Sequence, residues 1–346
     1  MSYSRRRQPF CIPTAHVAVK LRYDNYDKLG VKYLVDIPKR ILGRTGLDVT
    51  VLGFGALELR GMVAGVGREL KAAQPERILN AALDAGINYI DVAVDYGEAE
   101  EHIGKCIAHR RKEFFLASKC GCPPDVSKFA PKERTRYGVP LPRLHDYSRE
   151  NIIKTCDQSL RRMKTDYLDV LQFHFSPARK LLEQEKAVQT MESLKRDGKI
   201  RFLGCSSILP NINDHIEMGV FDVLQVPYSA LQPEHENAIA IAAKSGMGIV
   251  IRGGVAKGQP GKGQGSVDIW DLWDKAELDE LLNGEHRTEF MLRFTIANPN
   301  IHTTVVGTLD PEHLLENVSA VLKGPLPASV HSEAKRRLAE AEQEAR

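Results

Sequence analysis

The chain has 346 residues, which exceeds one average domain but is normal for a single α/β barrel. Its 48 basic and 45 acidic residues leave a net charge of +3, so nothing in the composition indicates a nucleic-acid or acidic partner. Hydrophobic residues make up 42% of the chain, enough for a sizeable core. No run of roughly 18 apolar residues occurs, and we therefore expect no membrane partner.

The six cysteines are scattered along the chain. Cys120 and Cys122 stand too close together for the Cys-x2-Cys spacing of a metal site. We therefore expect reduced thiols, no metal and a cytoplasmic protein. The other four cysteines are Cys11, Cys106, Cys156 and Cys205.

Residues 1–38 form an N-terminal extension whose first 23 residues are basic and contain no acid. This composition is also typical of a transit peptide, but Pro9 and Pro13 interrupt the weak amphipathic pattern. We expect a partly disordered extension, with organellar targeting as the alternative.

Past residue 38, strand and helix patterns alternate. A short β-hairpin is predicted over 39–51. Eight strands are predicted at 52–55, 87–92, 114–119, 167–174, 200–206, 222–226, 248–252 and 303–306. Helices are predicted at 75–86 and 98–108, after a capping Ser148, through Met191 and Leu194 to Gly198, and at 234–245, 286–297 and 311–322.

Eight strands, each followed by a long connection, favour an α/β fold of the (β/α)8 TIM barrel type, preceded by the N-terminal β-hairpin. The barrel would span 39–346 and end in a C-terminal helix. A doubly wound open sheet is the alternative. That fold would need Gly-x-Gly-x-x-Gly after its first strand, and the run that begins at Gly53 lacks the third glycine.

Two long insertions follow predicted strands, a proline-rich one at 121–147 and a glycine-rich one at 253–268. We expect both to lie over the active rim, where long loops usually cover a substrate or a cofactor. For 121–147, ordinary variation of a surface loop is an equal alternative. Trp270 and Trp273 either line a substrate pocket or pack residues 268–283 against the barrel, and we favour packing.

Polar residues stand at or just past the ends of three successive predicted strands: Asp91, Tyr96, Lys119 and His174. Parallel barrels build their active sites on that rim, so these side chains are expected to meet. A carboxylate, a phenol, an amine and an imidazole gathered there can move protons beside a bound carbonyl.

Three motifs resemble the aldo-keto reductase superfamily, and the similarity covers residues 39–322. The runs Gly-Arg-Thr-Gly-Leu at 43–47 and Leu-Gly-Phe-Gly at 52–55 resemble the family's opening. Residues 85–97 resemble its second signature, in which Asp-Thr-Ala-x-x-Tyr-Gly is usual, and residues 167–174 resemble its third. The resemblance implies a nicotinamide-dependent oxidoreductase that interconverts an aldehyde, ketone or sugar and the corresponding alcohol.

In this family pattern Asp91, Tyr96, Lys119 and His174 form the catalytic tetrad. A cationic Lys119 would lower the pKa of Tyr96, which then donates or accepts a proton as hydride moves. Asp91 would hold Lys119, and His174 would orient the substrate oxygen. We expect Asp95 to be a solvated loop carboxylate, although an inward orientation would raise the pKa of Tyr96.

The resemblance also implies a cofactor site. Ser206, Ser207 and Gln225 match the trio that holds the nicotinamide carboxamide, although asparagine is usual at position 207. Tyr228 matches the aromatic residue that stacks on the nicotinamide, with rim packing as its alternative. Arg252, Gly253 and Gly254 would lie along the pyrophosphate, with a simple turn as the alternative for the glycines. The remaining implied contacts are Gly55, Ala56, Asp91, Gly307, Thr308, His313, Glu316 and Asn317.

The last predicted loop and helix bear on the choice between NAD and NADP. Family members that bind NADP usually place a lysine or arginine here, against the 2′-phosphate. Residues 306–322 contain neither and carry Asp310, Glu312 and Glu316. We therefore favour NAD over NADP. With NAD, oxidation of a sugar or another polyol is expected, and with NADP, carbonyl reduction.

Two other functions are considered. The barrel could be a non-catalytic, cofactor-binding regulatory subunit, since the family contains such members, but the intact tetrad argues against this. A metal-dependent barrel hydrolase would need a His-x-His or clustered carboxylate signature, which the sequence lacks. The expected partner is thus a small carbonyl, sugar or alcohol substrate, and no motif in the loops specifies which one.

Overall fold

The computed structural model describes residues 36–63, 66–123, 125, 128–133, 141, 144–260 and 265–344. All of them belong to one compact unit, Leu34–Arg346. Most of the predicted extension, residues 1–35, lies outside the described residues. Ile37, which the prediction assigned to the extension, is buried in the main hydrophobic core.

The β-hairpin that the sequence predicts is present, and it covers the end of the barrel at which the strands begin. Strands β1 (Lys39–Ile41) and β2 (Asp48–Thr50) pair antiparallel. A Cβ atom at Gly43 would collide with the backbone of Gly248, so only glycine allows the turn to approach this closely. Because the hairpin occupies this end of the barrel, the opposite end is the one open to a functional site. Buried side chains of the hairpin form a small core with strand residues: Leu42, Leu47 and Val49 with Tyr89, Val223 and Val250.

Eight parallel strands form a closed barrel, which confirms the (β/α)8 prediction and excludes the doubly wound sheet. Their interior faces are packed, as the complete burial of Leu168–Phe173 illustrates. In chain order the strands are β3 (Leu52–Gly55), a small outer pair β4 (Met62–Val63) and β5 (Val66–Gly67), then β6 (Tyr89–Asp91), β7 (Phe115–Cys120), β8 (Leu168–Phe173), β9 (Ile200–Ser206), β10 (Val223–Pro227), β11 (Gly248–Arg252) and β12 (Thr303–Val306).

Helices surround the barrel, and the predicted ones are all present. Ser148 caps its helix by accepting a hydrogen bond from the backbone N–H of Asn151. Three short helices, α4, α6 and α8, were not predicted. The helices are α1 (Gln74–Asp84), α2 (Ala99–Cys106), α3 (Arg149–Met163), α4 (Arg179–Gln184), α5 (Ala187–Arg196), α6 (Asn211–Met218), α7 (Glu236–Lys244), α8 (Val267–Lys275), α9 (Arg287–Ala297), α10 (Pro311–Leu322) and α11 (Ala328–Glu344).

Both tryptophans of α8 are buried, which confirms that they pack this segment against the barrel. The indole N–H of Trp270 donates to the carbonyl of Ala256, and that of Trp273 donates to Asp279 Oδ1 over 2.9 Å. Across the described part of the chain, no helix is both long and apolar enough to span a bilayer.

Candidate active site

A buried ion pair lies at the carboxyl end of the barrel. Lys119 on β7 places its Nζ atom 2.7 Å from Asp91 Oδ2, at the end of β6, and donates a second hydrogen bond of 2.9 Å to the carbonyl of Val92. The Lys119 side chain is only 1% exposed. A charge this deep is tolerated because a paired carboxylate and a carbonyl replace its water.

The second oxygen of Asp91 connects the ion pair to two further strands. Its Oδ1 atom accepts hydrogen bonds from Gln225 Nε2 over 2.8 Å and from Gln172 Nε2 over 3.2 Å. Asp91 is therefore held from β7, β8 and β10 at once. Sequence reasoning missed Gln172 as a site residue; the available signal was an amide two residues before His174, near the end of the strand.

Tyr96 and His174 lie beside this ion pair, so the structure brings the four predicted residues together. The Tyr96 ring centroid is 5.1 Å from Lys119 Nζ and 5.9 Å from the ring of His174, at an interplanar angle of 70°. Tyr96 is half-buried, and some of its surface faces the open rim. The phenol, the ammonium and the imidazole thus border one small space.

The expectation that Tyr96 has a lowered pKa is wrong for this structure. Burial raises the pKa of Tyr96 well above 10, and the carboxylates of Asp91 and Asp95 raise it further, whereas Arg252 opposes them. The Lys119 ammonium is already paired with Asp91, which offsets its field at the phenol. Tyr96 therefore keeps its proton.

Asp95 is not a solvated loop carboxylate, which corrects the sequence-based expectation. Its side chain is buried, and its Oδ1 atom lies 3.4 Å from Nδ1 of His174. Burial is the largest influence and acts to raise the pKa of Asp95, but His174, His145 and Cys122 together outweigh it and the net direction is downward. Asp95 takes the inward orientation that was the alternative, and it raises the pKa of Tyr96.

His174 is held in a tight environment directly after β8. Its Nδ1 atom lies 2.9 Å from Cys122 Sγ, and its carbonyl accepts a hydrogen bond from the hydroxyl of Tyr147. Burial lowers the pKa of His174, and only Asp95 opposes this, while Lys119 and Arg252 lower it further. The imidazole is therefore neutral at physiological pH.

The backbone after His174 is strained. Phe175 and Ser176 have φ angles of 59° and 51°, in the left-handed region that residues other than glycine seldom adopt. Each such residue costs on the order of 1–3 kcal/mol and persists where its surroundings hold it. Here Ser176 Oγ accepts from the N–H of Ile208, and the Phe175 ring packs on His174 and His145.

Several side chains assigned to the nicotinamide have partners within the protein. Ser207 Oγ lies 2.6 Å from Nδ1 of His215, and Gln225 donates to Asp91. Tyr228 is 1% exposed and its ring stacks on Phe294, so contact with a nicotinamide would require it to expose a face. Ser206 ends β9 at the rim and is buried.

The backbone at the predicted pyrophosphate site is open at Gly253. Gly253 has a φ of 75°, and no described atom lies within 4 Å of where its Cβ would stand. Arg252 beside it is exposed and bears a permanent charge. A Cβ at Gly307 would stand 2.5 Å from the carbonyl oxygen of Gly55, so these two backbones approach closely at the rim.

The loop that leads into α10 is organised around the helix N-terminus. Asp310 caps the helix through a 2.9 Å bond from the N–H of Glu312, and Thr308 Oγ1 accepts from the N–H of Asp310. Of the other residues assigned to the cofactor here, His313 and Glu316 are exposed whereas Asn317 is buried, as is Ala56 after β3.

Comparison with known proteins agrees with this fold. The family model described as Aldo/keto reductase family matches residues 51–338. The chain belongs to this family, whose members are oxidoreductases that use nicotinamide cofactors and act on small carbonyl substrates.

Curated relatives match over most of their length. The chain is 28% identical to the uncharacterized oxidoreductase YqkF of Bacillus subtilis over 299 residues, which are 82% of this chain and 90% of that protein. It is 27% identical to L-galactose dehydrogenase of Arabidopsis thaliana over 308 residues, 83% and 89% of the two chains. The holo form of aldo-keto reductase AKR11C1 from Bacillus halodurans superposes with a TM-score of 0.73 at 28% identity, covering 87% of this chain and 96% of that one.

Replacing Lys119 tests the buried ion pair. We expect Lys119→Met to lower the free energy of unfolding by about 3–5 kcal/mol, because it leaves the Asp91 carboxylate buried without its charged partner. Urea denaturation measures this change. Lys105→Met, on an exposed position of α2, is the matched control and should change stability by less than about 0.5 kcal/mol. Equal stability of the two variants would contradict the assignment.

The raised pKa of Tyr96 has a direct spectroscopic consequence. Because the site keeps the phenol protonated up to and beyond pH 10, we expect wild type and Tyr96→Phe to form the same number of tyrosinates below that pH. Ultraviolet difference titration of the cofactor-free protein measures this number. One extra tyrosinate that ionises near neutral pH in the wild type alone would refute the raised pKa.

Proposed function

We propose that this protein is a nicotinamide-dependent oxidoreductase that interconverts a small carbonyl compound and the corresponding alcohol, with Tyr96 as the general acid and base. The observation that carries the proposal is the grouping of the Tyr96 phenol with the buried Lys119–Asp91 pair and with His174 at the carboxyl rim of the barrel. The family membership supports the same reaction class.

Each side chain has a distinct task in this scheme. The nicotinamide, when bound, supplies or receives the hydride, which side chains cannot do. In reduction, Tyr96 donates its phenolic proton to the oxygen of the former carbonyl, and in oxidation it takes that proton back. A raised pKa keeps the proton on Tyr96 until an alkoxide-like oxygen needs it.

The other three residues position this proton transfer. Asp91 holds Lys119, whose ammonium lies beside the Tyr96 ring and favours negative charge on the phenolic oxygen when it forms. Neutral His174 orients the substrate oxygen through a ring N–H, a contribution of geometry rather than of acid–base chemistry.

We also propose that the cofactor is NAD rather than NADP. The first turns of α10 carry three exposed acids, Asp310, Glu312 and Glu316, and no lysine or arginine occurs at 306–322. A 2′-phosphate held near this loop would be repelled by them. Arg252 and Gly253, away from these acids, would hold the pyrophosphate, since a charged guanidinium and close backbone N–H groups suit phosphate oxygens.

An NAD-linked enzyme in a cell mainly runs oxidation, so we propose a sugar or another polyol as the substrate. The likeness to L-galactose dehydrogenase of Arabidopsis thaliana supports this substrate class. A cytoplasmic location is proposed with it, supported by five described cysteines that are all buried and free.

Removing one oxygen atom tests the role of Tyr96. We expect Tyr96→Phe to lower kcat by about 10²–10⁴-fold, the usual contribution of a general acid, while the Kd for NAD changes little. Stopped assays with an aldehyde and sugar panel measure turnover, and intrinsic fluorescence measures binding. Tyr167→Phe, at the opposite end of β8, is the matched control and should keep full activity. Undiminished turnover in Tyr96→Phe, or a wild type that binds NAD without any turnover, would refute the proposal.

A charge substitution tests the cofactor preference. We expect the wild type to bind NAD at least about tenfold more tightly than NADP. His313→Arg should reduce this ratio of affinities about tenfold, because the arginine can form a charge-assisted hydrogen bond to the 2′-phosphate, worth roughly 1.5–3 kcal/mol. Fluorescence titration with both cofactors measures the ratio. His109→Arg, exposed and near the start of β7, is the control that should leave it unchanged. Tighter binding of NADP by the wild type would overturn the preference.

A further inference from the structure

Four side chains with metal-binding atoms converge at the rim. One of them, His174, belongs to the tetrad, and the other three have no task in the proposed reaction. Asp95, Cys122, His145 and His174 each offer one ligand atom, and these four atoms lie within 4.8 Å of one another. Among the described residues this is the one such group. Three of its members are buried and His145 is half-buried.

We propose that Asp95, Cys122, His145 and His174 form a binding site for one divalent transition-metal ion of the Zn²⁺ class. A thiolate, two imidazoles and a carboxylate make up the mixed sulfur, nitrogen and oxygen donor set that Zn²⁺ takes in four-coordinate sites. Softness of the thiolate and the absence of further carboxylates in the group argue against Ca²⁺ or Mg²⁺, which prefer all-oxygen ligands.

The distances suit an ion of this size. Tetrahedral zinc separates its ligand atoms by about 3.3–3.8 Å, given bonds of roughly 2.0–2.3 Å. Nδ1 of His174 lies 3.4 Å from Asp95 Oδ1 and 2.9 Å from Cys122 Sγ. Coordination requires the sulfur to move away from this imidazole by less than about 1 Å, and any ligand pair at the 4.8 Å limit of the group to close by roughly 1.0–1.5 Å. The Cys122 proton is lost to solvent.

Asp95 provides an independent indication of a ligand. It is 3% exposed, and its carboxylate interacts with the side chains of His174 and Cys122, although neither oxygen reaches full hydrogen-bond geometry within the described residues. A buried carboxylate normally has its oxygens satisfied by donors or by a metal ion. An ion among the four ligands would satisfy Asp95.

The two imidazoles are oriented as ligands require. Nδ1 of His145 lies 3.0 Å from the carbonyl oxygen of Leu141, which can only accept a hydrogen bond. Nδ1 of His145 is therefore the protonated nitrogen, and Nε2 keeps a lone pair for a metal, an arrangement common among metal-binding histidines. For His174, Nδ1 faces the other ligands and Nε2 remains the N–H donor.

This arrangement gives the 121–147 insertion a function. Cys122 and His145 stand near its two ends, and an ion would tie both ends to the rim beside Tyr96. Binding at Nδ1 would also hold His174 in the tautomer that donates from Nε2, a consequence that rests on the proposed function, whereas metal binding itself does not.

Cobalt substitution tests the site without any turnover assay. The full-length protein is reduced, treated with a chelator, desalted and titrated with CoCl2 alone. We expect one Co²⁺ per chain, the visible bands of tetrahedral cobalt and a thiolate-to-cobalt charge-transfer band in the near ultraviolet. Competition with ZnCl2 should bleach these bands and raise the melting temperature of the wild type.

Matched alanine variants assign the ligands. Cys122→Ala should lack the charge-transfer band and bind Zn²⁺ at least about 100-fold more weakly. Even the loss of a ligand's hydrogen-bond partner lowers metal affinity roughly 10–100-fold. Cys120→Ala, which removes a buried free thiol two residues away in the main core, should keep both. His145→Ala, at a half-buried position that tolerates truncation, should weaken binding but keep the thiolate band.

Several outcomes would overturn the proposal. The first is a wild type that binds cobalt without a thiolate band. The second is a wild type whose affinity for zinc equals that of Cys122→Ala. The third is a loss of zinc affinity in Cys120→Ala as large as that in Cys122→Ala. Circular dichroism melts of each variant show whether it is folded. A protein that binds zinc through Cys122 but turns over no substrate would leave the site standing and refute the proposed function alone.

Discussion

The ion pair between Lys119 and Asp91 is the interaction on which the candidate active site depends. Its two charges lie on neighbouring strands, and Asp91 also accepts from Gln172 and Gln225, so four strands of a closed barrel converge on one carboxylate. Removing one partner would leave the other charge buried and unpaired, which is strongly destabilising. The strands therefore position the ion pair, and the ion pair in turn holds the strand ends together. The position of Tyr96 follows from that arrangement.

Burial acts on Tyr96 and His174 in the same sense, because each is driven to its neutral form. The pKa of the phenol is raised and that of the imidazole is lowered. A neutral phenol is a proton donor, and a neutral imidazole still offers one N–H for a hydrogen bond. In the reaction that we propose, Lys119 would assist through its position beside the ring, and its pairing with Asp91 would keep the phenol protonated until a substrate oxygen arrives.

The segment after β8 shows how the rim is organised around these groups. Phe175 and Ser176 accept strained backbone angles, and Tyr147 from the long insertion packs onto Gly121 and donates to the carbonyl of His174. Gly121, with a φ of 90°, leaves the room that the Tyr147 ring fills. The described ends of the insertion therefore border the site, and Cys122 and His145 in them lie close to His174.

The sequence by itself determined the order of the barrel strands and their bounds to within two residues, because hydrophobic patterns are local properties of the chain. The predicted strands at 200–206, 248–252 and 303–306 coincide with β9, β11 and β12. It also located Asp91, Tyr96, Lys119 and His174, since residues at successive strand ends must meet on one rim. Only the tertiary structure showed that Gln172 and Gln225 share Asp91, the second of them 134 residues away, that Asp95 turns inward, and that Cys122 and His145 reach His174. The direction of the Tyr96 pKa was likewise decided in three dimensions, because burial and the sum of surrounding charges do not follow from neighbours in sequence.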